Sequence, residues 1–308
     1  MPTDILCFGE PLGEFNQTRP DEPGYLFGFG GDVSNCAIAA ARSGARVGVI
    51  GAVGDDSFGR AFFELWQGEG IDTSYMRLAD GLQTGLYFVT HGPEGHEFSY
   101  RRAGSASARV TPQDLSLTAI RTAKVLHVSG ISQAISDSAC DAVFVALQAA
   151  KSAGVTVSYD TNLRLRLWSL DRARAITNAA MRLADIALPG LDDARQLTGR
   201  ETPDAIADFY LEGGSKIVAL TLGKDGALIA TPEGRQVVGS IPVTARDATG
   251  AGDCFDGAFL AEWLETRDPY RAGRYACVAA ALSTTGYGAV APLPRRAAVL
   301  EALASAGN

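Results

Sequence analysis

Apolar runs of strand length alternate along this chain with segments of helical period. Residues 5–8, 47–53, 125–128, 155–159, 186–188 and 217–220 are short β-branched or apolar runs, the pattern of strands buried on both faces. Between them, residues 33–43, 57–68, 137–152, 171–182 and 203–212 place apolar residues three and four apart, which predicts amphipathic helices. Asp137 and Asp171 stand where N-caps are expected, and Gly44 and Gly154 where helices stop. Strand–helix alternation of this kind predicts an α/β fold, a doubly wound, mostly parallel sheet with helices on both faces. Ligands of such sheets bind beyond the carboxyl ends of the strands.

Two regions break the rhythm. Residues 10–31 hold Pro11, Pro20, Pro23 and five glycines without a helical period. Residues 84–102 read as two strands around a Gly-Pro-Glu-Gly turn. Together they predict a small β-element projecting from the main sheet, a lid, a dimer contact, or both. A further hairpin is expected from residues 227–231 and 236–243 around Pro-Glu-Gly.

Composition narrows the classes. Twenty-seven Lys and Arg against 35 Asp and Glu give a net charge of −8, and the basic residues are scattered, unlike the basic stripe of a nucleic-acid binder. Arg101-Arg102 and Arg164/Arg166 are the only local basic features. Five widely spaced cysteines without Cys-x-x-Cys argue for a reducing compartment, and against a disulfide framework or zinc site. The N-terminus lacks a signal-peptide pattern and no apolar run is long enough to span a membrane, so the expectation is a soluble, cytoplasmic protein.

The chemistry concentrates in residues 247–259, Asp-Ala-Thr-Gly-Ala-Gly-Asp-Cys-Phe-Asp-Gly-Ala-Phe. Asp253 stands behind a Thr-Gly-Ala-Gly turn and opens a helix whose apolar positions are Phe255, Phe259, Leu260, Trp263 and Leu264. The first amides of a helix lack intrahelical acceptors, and Gly250, Ala251 and Gly252 carry too little side chain to keep an anion away from them. An acid beside an anion pocket suits phosphoryl transfer to a hydroxyl; a merely capped helix is the alternative reading. No P-loop, Gly-x-Gly-x-x-Gly fingerprint or Gly-x-Ser-x-Gly elbow occurs. The three histidines are His91, His96 and His127, the last inside an apolar strand and expected to be a satisfied core residue.

Three more glycine-rich segments precede that stretch in order. They are Gly30-Gly31-x-x-x-Asn35-x-Ala37 with a helix over 36–42, Gly51-x-Val53-Gly54-x-Asp56-x-x-Gly59, and Thr221-Leu-Gly223-Lys-Asp-Gly226. With Asp247-x-Thr249-Gly250-Ala251-Gly252-Asp253-x-Phe255-x-Gly257, these segments make nearly the whole chain resemble the ribokinase (PfkB) family of carbohydrate kinases. The resemblance implies a ribokinase-like fold over 1–308, with a discontinuous β-sheet lid at about 10–31 and 84–106. It implies Asp253 as proton acceptor, the amides of Gly250, Ala251 and Gly252 as an anion hole, and Gly30, Gly31 and Asn35 at the sugar. Thr221, Gly223 and Gly226, together with Gly250 and Gly252, match nucleotide-binding positions, with ATP and Mg2+ expected. Asp247 and Thr249 match positions associated with a monovalent cation such as K+, and the lid suggests a homodimer. A carboxylate at a helix N-terminus is expected to stay ionised and act as a weak base. The family's Asn-x-x-Glu is replaced by Gly190-Leu-Asp-Asp193, so Asp193 is the stand-in magnesium ligand.

Within the family, Gly9-Glu10-Pro11-Leu12, Tyr87, Tyr100-Arg-Arg102-Ala-Gly-Ser-Ala and Asp160-Thr-Asn-Leu-Arg164-Leu-Arg-Leu-Trp168 resemble 2-keto-3-deoxygluconate kinases, whose pattern in the last segment is Asp-x-Asn-x-Arg-x-x-Leu-Trp. Guanidinium groups suit a carboxylate, so Arg102 and Arg164 are expected at the acid end, with Tyr87 and Tyr100 shaping the pocket. A fructokinase or other neutral-sugar kinase, and a non-catalytic sugar or nucleotide sensor, are the rival readings.

Overall fold

The structure, a computed structural model, describes residues 3–19, 22–92 and 95–306; Pro20 and the Pro-Glu step of the expected turn lie outside them. The strands are β1 Ile5–Phe8, β2 Leu12–Gln17, β3 Tyr25–Gly30, β4 Val47–Gly54, β5 Asp72–Ala79, β6 Gly85–Gly92 and β7 Gly95–Arg101. They continue as β8 Val125–Ser129, β9 Thr156–Asp160, β10 Ile186–Leu188, β11 Ile217–Thr221, β12 Ala227–Thr231 and β13 Gly234–Val238. The helices are α1 Asp32–Arg42, α2 Ser57–Gly68, α3 Leu117–Thr122, α4 Gly130–Ala134, α5 Asp137–Ser152 and α6 Leu170–Met181. After them come α7 Leu191–Thr198, α8 Pro203–Glu212, α9 Ala251–Thr266, α10 Pro269–Ser283 and α11 Arg296–Ala306.

Nine strands form the main sheet in the order β13-β12-β11-β10-β9-β8-β1-β4-β5, parallel except for the β11-β12-β13 edge. The apolar runs are continuous because both faces are covered. Ile5 and Cys7 of β1 point into a core shared with α1, α9 and α10, while Leu6 and Phe8 point into a second core with α5 and α8. The chain leaves β1 for β4 on one side and β8 on the other, so the order reverses there and the loops above part into a crevice. The other four strands, β3-β2-β6-β7, form a small separate sheet that holds its own apolar cluster of Leu12, Tyr87 and Val89. Among the described residues no helix is long and apolar enough to cross a membrane.

One glycine sets the depth of the crevice. A Cβ on Gly257 would lie 2.2 Å from the carbonyl oxygen of Cys36 and 2.8 Å from Ala39 Cβ. Only glycine lets α9 settle this closely on α1, and that contact brings the N-terminal turns of the two helices together.

Several boundaries differ from the sequence reading. The caps of α5 and α6 are Ser136 and Ser169, whose hydroxyls accept from Ala139 N and Arg172 N; Asp137 and Asp171 sit inside the first turns instead. Helix α1 begins at Asp32, one residue before the expected 33–43 segment and four before the helix placed after the Gly30-Gly31 motif, because Gly31 takes a φ of 92° that lets the helix follow β3 directly. Strand β13 ends at Val238, well short of residue 243. Strand β5, α10 and α11 were not anticipated. β5 is an edge strand with few buried positions, and α10 mixes buried small residues with Tyr275, Cys277 and Val278 at nearly consecutive positions, so neither carries a strong apolar period.

Candidate active site

Parallel strands β9, β10 and β11 end at one cavity of about 850 Å³, lined also by the small sheet, the start of α1 and the first turn of α9. Gly31, Asp32 and Asn35 enter from α1, Tyr87, Tyr100 and Arg102 from the small sheet, and Asp160 to Leu167 from the loop after β9. Gly190, Asp193 and Thr221 follow β10 and β11, and Ala248 to Asp253 with Asp256 complete the wall. Gly30 and Gly226 lie off this lining. Gly30 backs the ring of Tyr87, and Gly226, with φ 95°, is pressed against Val238 O, where a Cβ would lie at 2.0 Å.

The floor is a cluster of four carboxyl groups. Asp253, half-buried on the first turn of α9, accepts from Asn35 Nδ2 at 2.8 Å. Asp32 accepts from Ser129 Oγ and, at 3.3 Å, from Asn162 Nδ2, and its Oδ1 is buried without a partner, as is Asn35 Oδ1. Asn162 reaches Asp32 from a left-handed backbone, φ 28°, at the end of β9, an uncommon conformation held by the hydrogen bond from its own amide to Asp160. None of Asp32, Asp160, Asp253 and Asp256 has an ion-pair partner among the described residues. Burial, and then the charge of Asp32, push Asp253 up to about 7. Burial and the neighbouring acids hold Asp160 and Asp256 well above the ordinary carboxylate range. The expectation that the helix N-terminus keeps Asp253 an ordinary ionised carboxylate is therefore corrected: desolvation and like charge outweigh the dipole here.

Beside Asp253, Gly250 caps α9 with φ 75°, and nothing lies within 4 Å of where a Cβ of Gly252 would stand, so this turn is open to a ligand. Asp247 holds the turn from outside. Its Oδ1 accepts from Thr249 N and Oγ1 at 2.9 and 2.7 Å and its Oδ2 from Gly288 N at 2.9 Å, so both oxygens serve the loop itself. Thr221 and Gly223 border the adjoining recess with Asp192 and Asp193. A Cβ on Gly223 would meet nothing within 4 Å, which leaves the turn free for a flat or phosphorylated ligand. Asp193 gives one oxygen to Leu163 N at 2.8 Å, and burial raises its proton affinity.

The tyrosines and arginines differ in how free they are. Tyr87 donates to Glu14 on the next strand and stacks on Tyr100 with ring centroids 5.9 Å apart. Glu14 is buried, and its Oε1 lies 3.4 Å from the Cβ positions of Gly28 and Gly288, so it joins the small sheet to the loop held by Asp247. Arg102 pairs with Glu10, which is buried and also accepts from Ser105 Oγ at 3.0 Å. Among the described residues, Arg164 and Arg166 donate only to backbone, to Leu163 O and Phe98 O, each at 2.9 Å. Sequence reading named none of Asp32, Asp160, Asp256, Glu10, Glu14 and Arg166 as site residues. Asp32 and Asp160 lay within quoted motifs, and Asp256 follows Asp253 by one helical turn, a spacing that signals a shared face. His127 is, as expected, a core residue, with Nδ1 3.1 Å from Ser158 Oγ and its pKa pushed down to about 3 by burial.

The pfkB family of carbohydrate kinases matches residues 2–296. The 2-dehydro-3-deoxygluconokinase of Thermoproteus tenax is 36% identical over 304 residues, spanning 95% of this chain and 92% of that one. The fructokinase of Solanum tuberosum is 34% identical, spanning 97% and 95%. A solved structure of a putative ribokinase II from E. coli in complex with ATP and Mg2+ superposes with a TM-score of 0.91 at 26% identity, covering 98% of this chain and 99% of that one. The chain belongs to the PfkB family of carbohydrate kinases, and its two sheets are the ribokinase-like main sheet and lid.

Proposed function

We propose that this PfkB-family carbohydrate kinase transfers the γ-phosphoryl group of ATP to the terminal hydroxyl of 2-keto-3-deoxygluconate, giving the 6-phosphate. The observation that carries the sugar-acid reading is Arg164, a cavity guanidinium that donates to the carbonyl of Leu163, forms no ion pair among the described residues, and whose charge acts on Asp193 and Asp253. A carboxylate is repelled by the charge the floor carries on Asp32 and on Asp253 once it has lost its proton, and attracted to the guanidinium, so the acid end lies at Arg164 and the hydroxyl end reaches Asp253. The ketodeoxy acid is the same compound class as the substrate in the Thermoproteus tenax relative's name, while the similar identity of the fructokinase leaves the sugar to be argued from the site.

The chemistry follows from the floor. The acceptor hydroxyl lies beside Asp253, its oxygen forms the new bond to the γ-phosphorus, and the bond from that phosphorus to the β–γ bridging oxygen breaks to release ADP. Asp253 takes the hydroxyl proton. A carboxylate that titrates near 7 is a stronger base than a free aspartate, and Asn35 Nδ2 fixes the orientation of the oxygen beside it. The amides of Gly250, Ala251 and Gly252 face the charge on the transferring group, where fixed donors stabilise it without reorganisation. Thr221 and Gly223 border the nucleotide. Asp193 is the residue that would hold magnesium, whose charge would offset that of the phosphates.

A neutral-sugar kinase is the second reading, favoured by the Glu10 carboxylate that already neutralises Arg102. Coupled ADP-release assays on 2-keto-3-deoxygluconate and fructose decide between them. A higher kcat/KM on the acid is expected; preferred turnover of fructose would reject the substrate assignment, and no ATP consumption on any sugar would support a sensor.

A further inference from the structure

Three guanidinium groups line the cavity, and their surroundings differ. Arg102 is matched by the buried carboxylate of Glu10, so the pair presents no net charge to a ligand. Arg164 and Arg166 have no carboxylate within ion-pair distance among the described residues. Both sit on the loop after β9, which is pinned by the buried side chains of Leu163 and Trp168. Arg166 spends one N–H on Phe98 O of the lid strand β7 and keeps the rest of its five donors.

We propose that Arg166 is a specificity-determining residue that clamps the carboxylate of a sugar-acid acceptor together with Arg164, and that its bond to Phe98 O makes lid strand β7 part of the clamp. The inference rests on the sugar-acid reading above. Two guanidinium groups and one carboxylate leave a single positive charge at a solvent-reached mouth. The floor of Asp32, Asp160, Asp253 and Asp256 offers no competing place for the acid. A neutral sugar gains nothing from this second cation, so Arg166 separates acids from alcohols of the same carbon skeleton.

The test compares wild type, Arg166→Gln and Arg166→Lys on 2-keto-3-deoxygluconate and on its alcohol counterpart, in which CH2OH replaces the carboxylate. KM and kcat are measured for each acceptor, and KM for ATP. Arg166→Gln is expected to raise KM for the acid about tenfold with kcat within about twofold, leaving KM for the alcohol and for ATP unmoved; Arg166→Lys, which keeps charge but not the planar fork, recovers part of the loss. Equal rises on acid and alcohol would reduce Arg166 to a lid strut, and a rise confined to ATP would assign it to the nucleotide; either overturns the inference. An unchanged Arg166→Gln beside a wild type that uses the acid sinks this inference alone. A wild type that uses the alcohol and not the acid sinks the substrate reading with it.

Discussion

Asp253→Asn removes the proposed proton acceptor and should make the folded protein more stable at alkaline pH. Burial and Asp32 lift Asp253 from 3.8 to about 7, so between these pH values the folded chain retains a proton that the unfolded chain releases. Stability associated with this group is therefore fully present below about pH 4 and is lost as pH rises to about 7. A rise of that size corresponds to at most about 4 kcal/mol at pH 8. Because Asp253 is half-buried and faces a solvent-reached cavity, about 2 kcal/mol is the expected cost. Asparagine keeps an acceptor oxygen for Asn35 Nδ2 and presents a neutral amide to Asp32, so the cost disappears. With an unfolding entropy of about 2.1 cal/mol/K per residue, that gain raises the melting temperature by about 3 °C. Calorimetry of both proteins at pH 4 and pH 8 checks it. The difference should be near zero at pH 4 and appear at pH 8, in a variant that has lost turnover. Equal melting temperatures at pH 8, or the same gain at both pH values, would refute the electrostatic account of this site.

Asp32→Asn removes the charge that most raises Asp253 after burial, so the rising limb of kcat/KM against pH should move from about 7 toward acid, read from a pH profile; a limb that stays in place assigns the rise to burial alone. Glu14→Gln and Tyr87→Phe should each raise sugar KM several-fold, and because the two groups act through one hydrogen bond the double variant should be no worse than the poorer single; additive losses would show independent roles. Gly252→Ala places its methyl in open space, so the melting temperature should hold while kcat falls by about tenfold or more as the methyl meets the phosphates. Gly257→Ala drives a methyl into the Cys36 carbonyl and should cost several kcal/mol in denaturant unfolding.

The main sheet was legible because its strands are buried on both faces. Runs such as 47–53 and 217–220 leave no polar phase to confuse with a helix, and the intervening segments carry a clear three-and-four spacing. Legibility failed where packing carries little apolar contrast. Helix α10 buries Ala272, Gly273, Ala276 and Ala279 among Tyr275, Cys277 and Val278, so small residues dilute the face its larger ones would mark, and β5 buries little more than Met76 and Ala79. Caps shifted for a local reason. Ser136 and Ser169 stand one and two residues before the aspartates that were read as caps, and a hydroxyl at the right backbone position serves the first amides while the carboxylate next to it adds only charge.

At the site, motifs gave positions, and burial gave their chemistry. The Thr-Gly-Ala-Gly turn points to an anion pocket, but the base strength of Asp253 depends on Asp32, which lies 221 residues away in sequence and meets it only because Gly257 lets α9 rest on α1. No local pattern encodes that encounter. Arg102 illustrates the converse. Its motif promises a free guanidinium, yet Glu10, carried on the opening Gly-Glu-Pro-Leu segment, reaches it across the base of the lid and cancels its charge. On the proposed reading, selectivity for an acid would rest on the loop after β9, where Arg164 and Arg166 form no ion pair among the described residues, although the charge of Arg164 is felt by Asp193 and Asp253. On the proposed sugar-acid reading, a cavity with an acidic floor and a basic mouth would take the acid in one direction, the one that brings its terminal hydroxyl to Asp253.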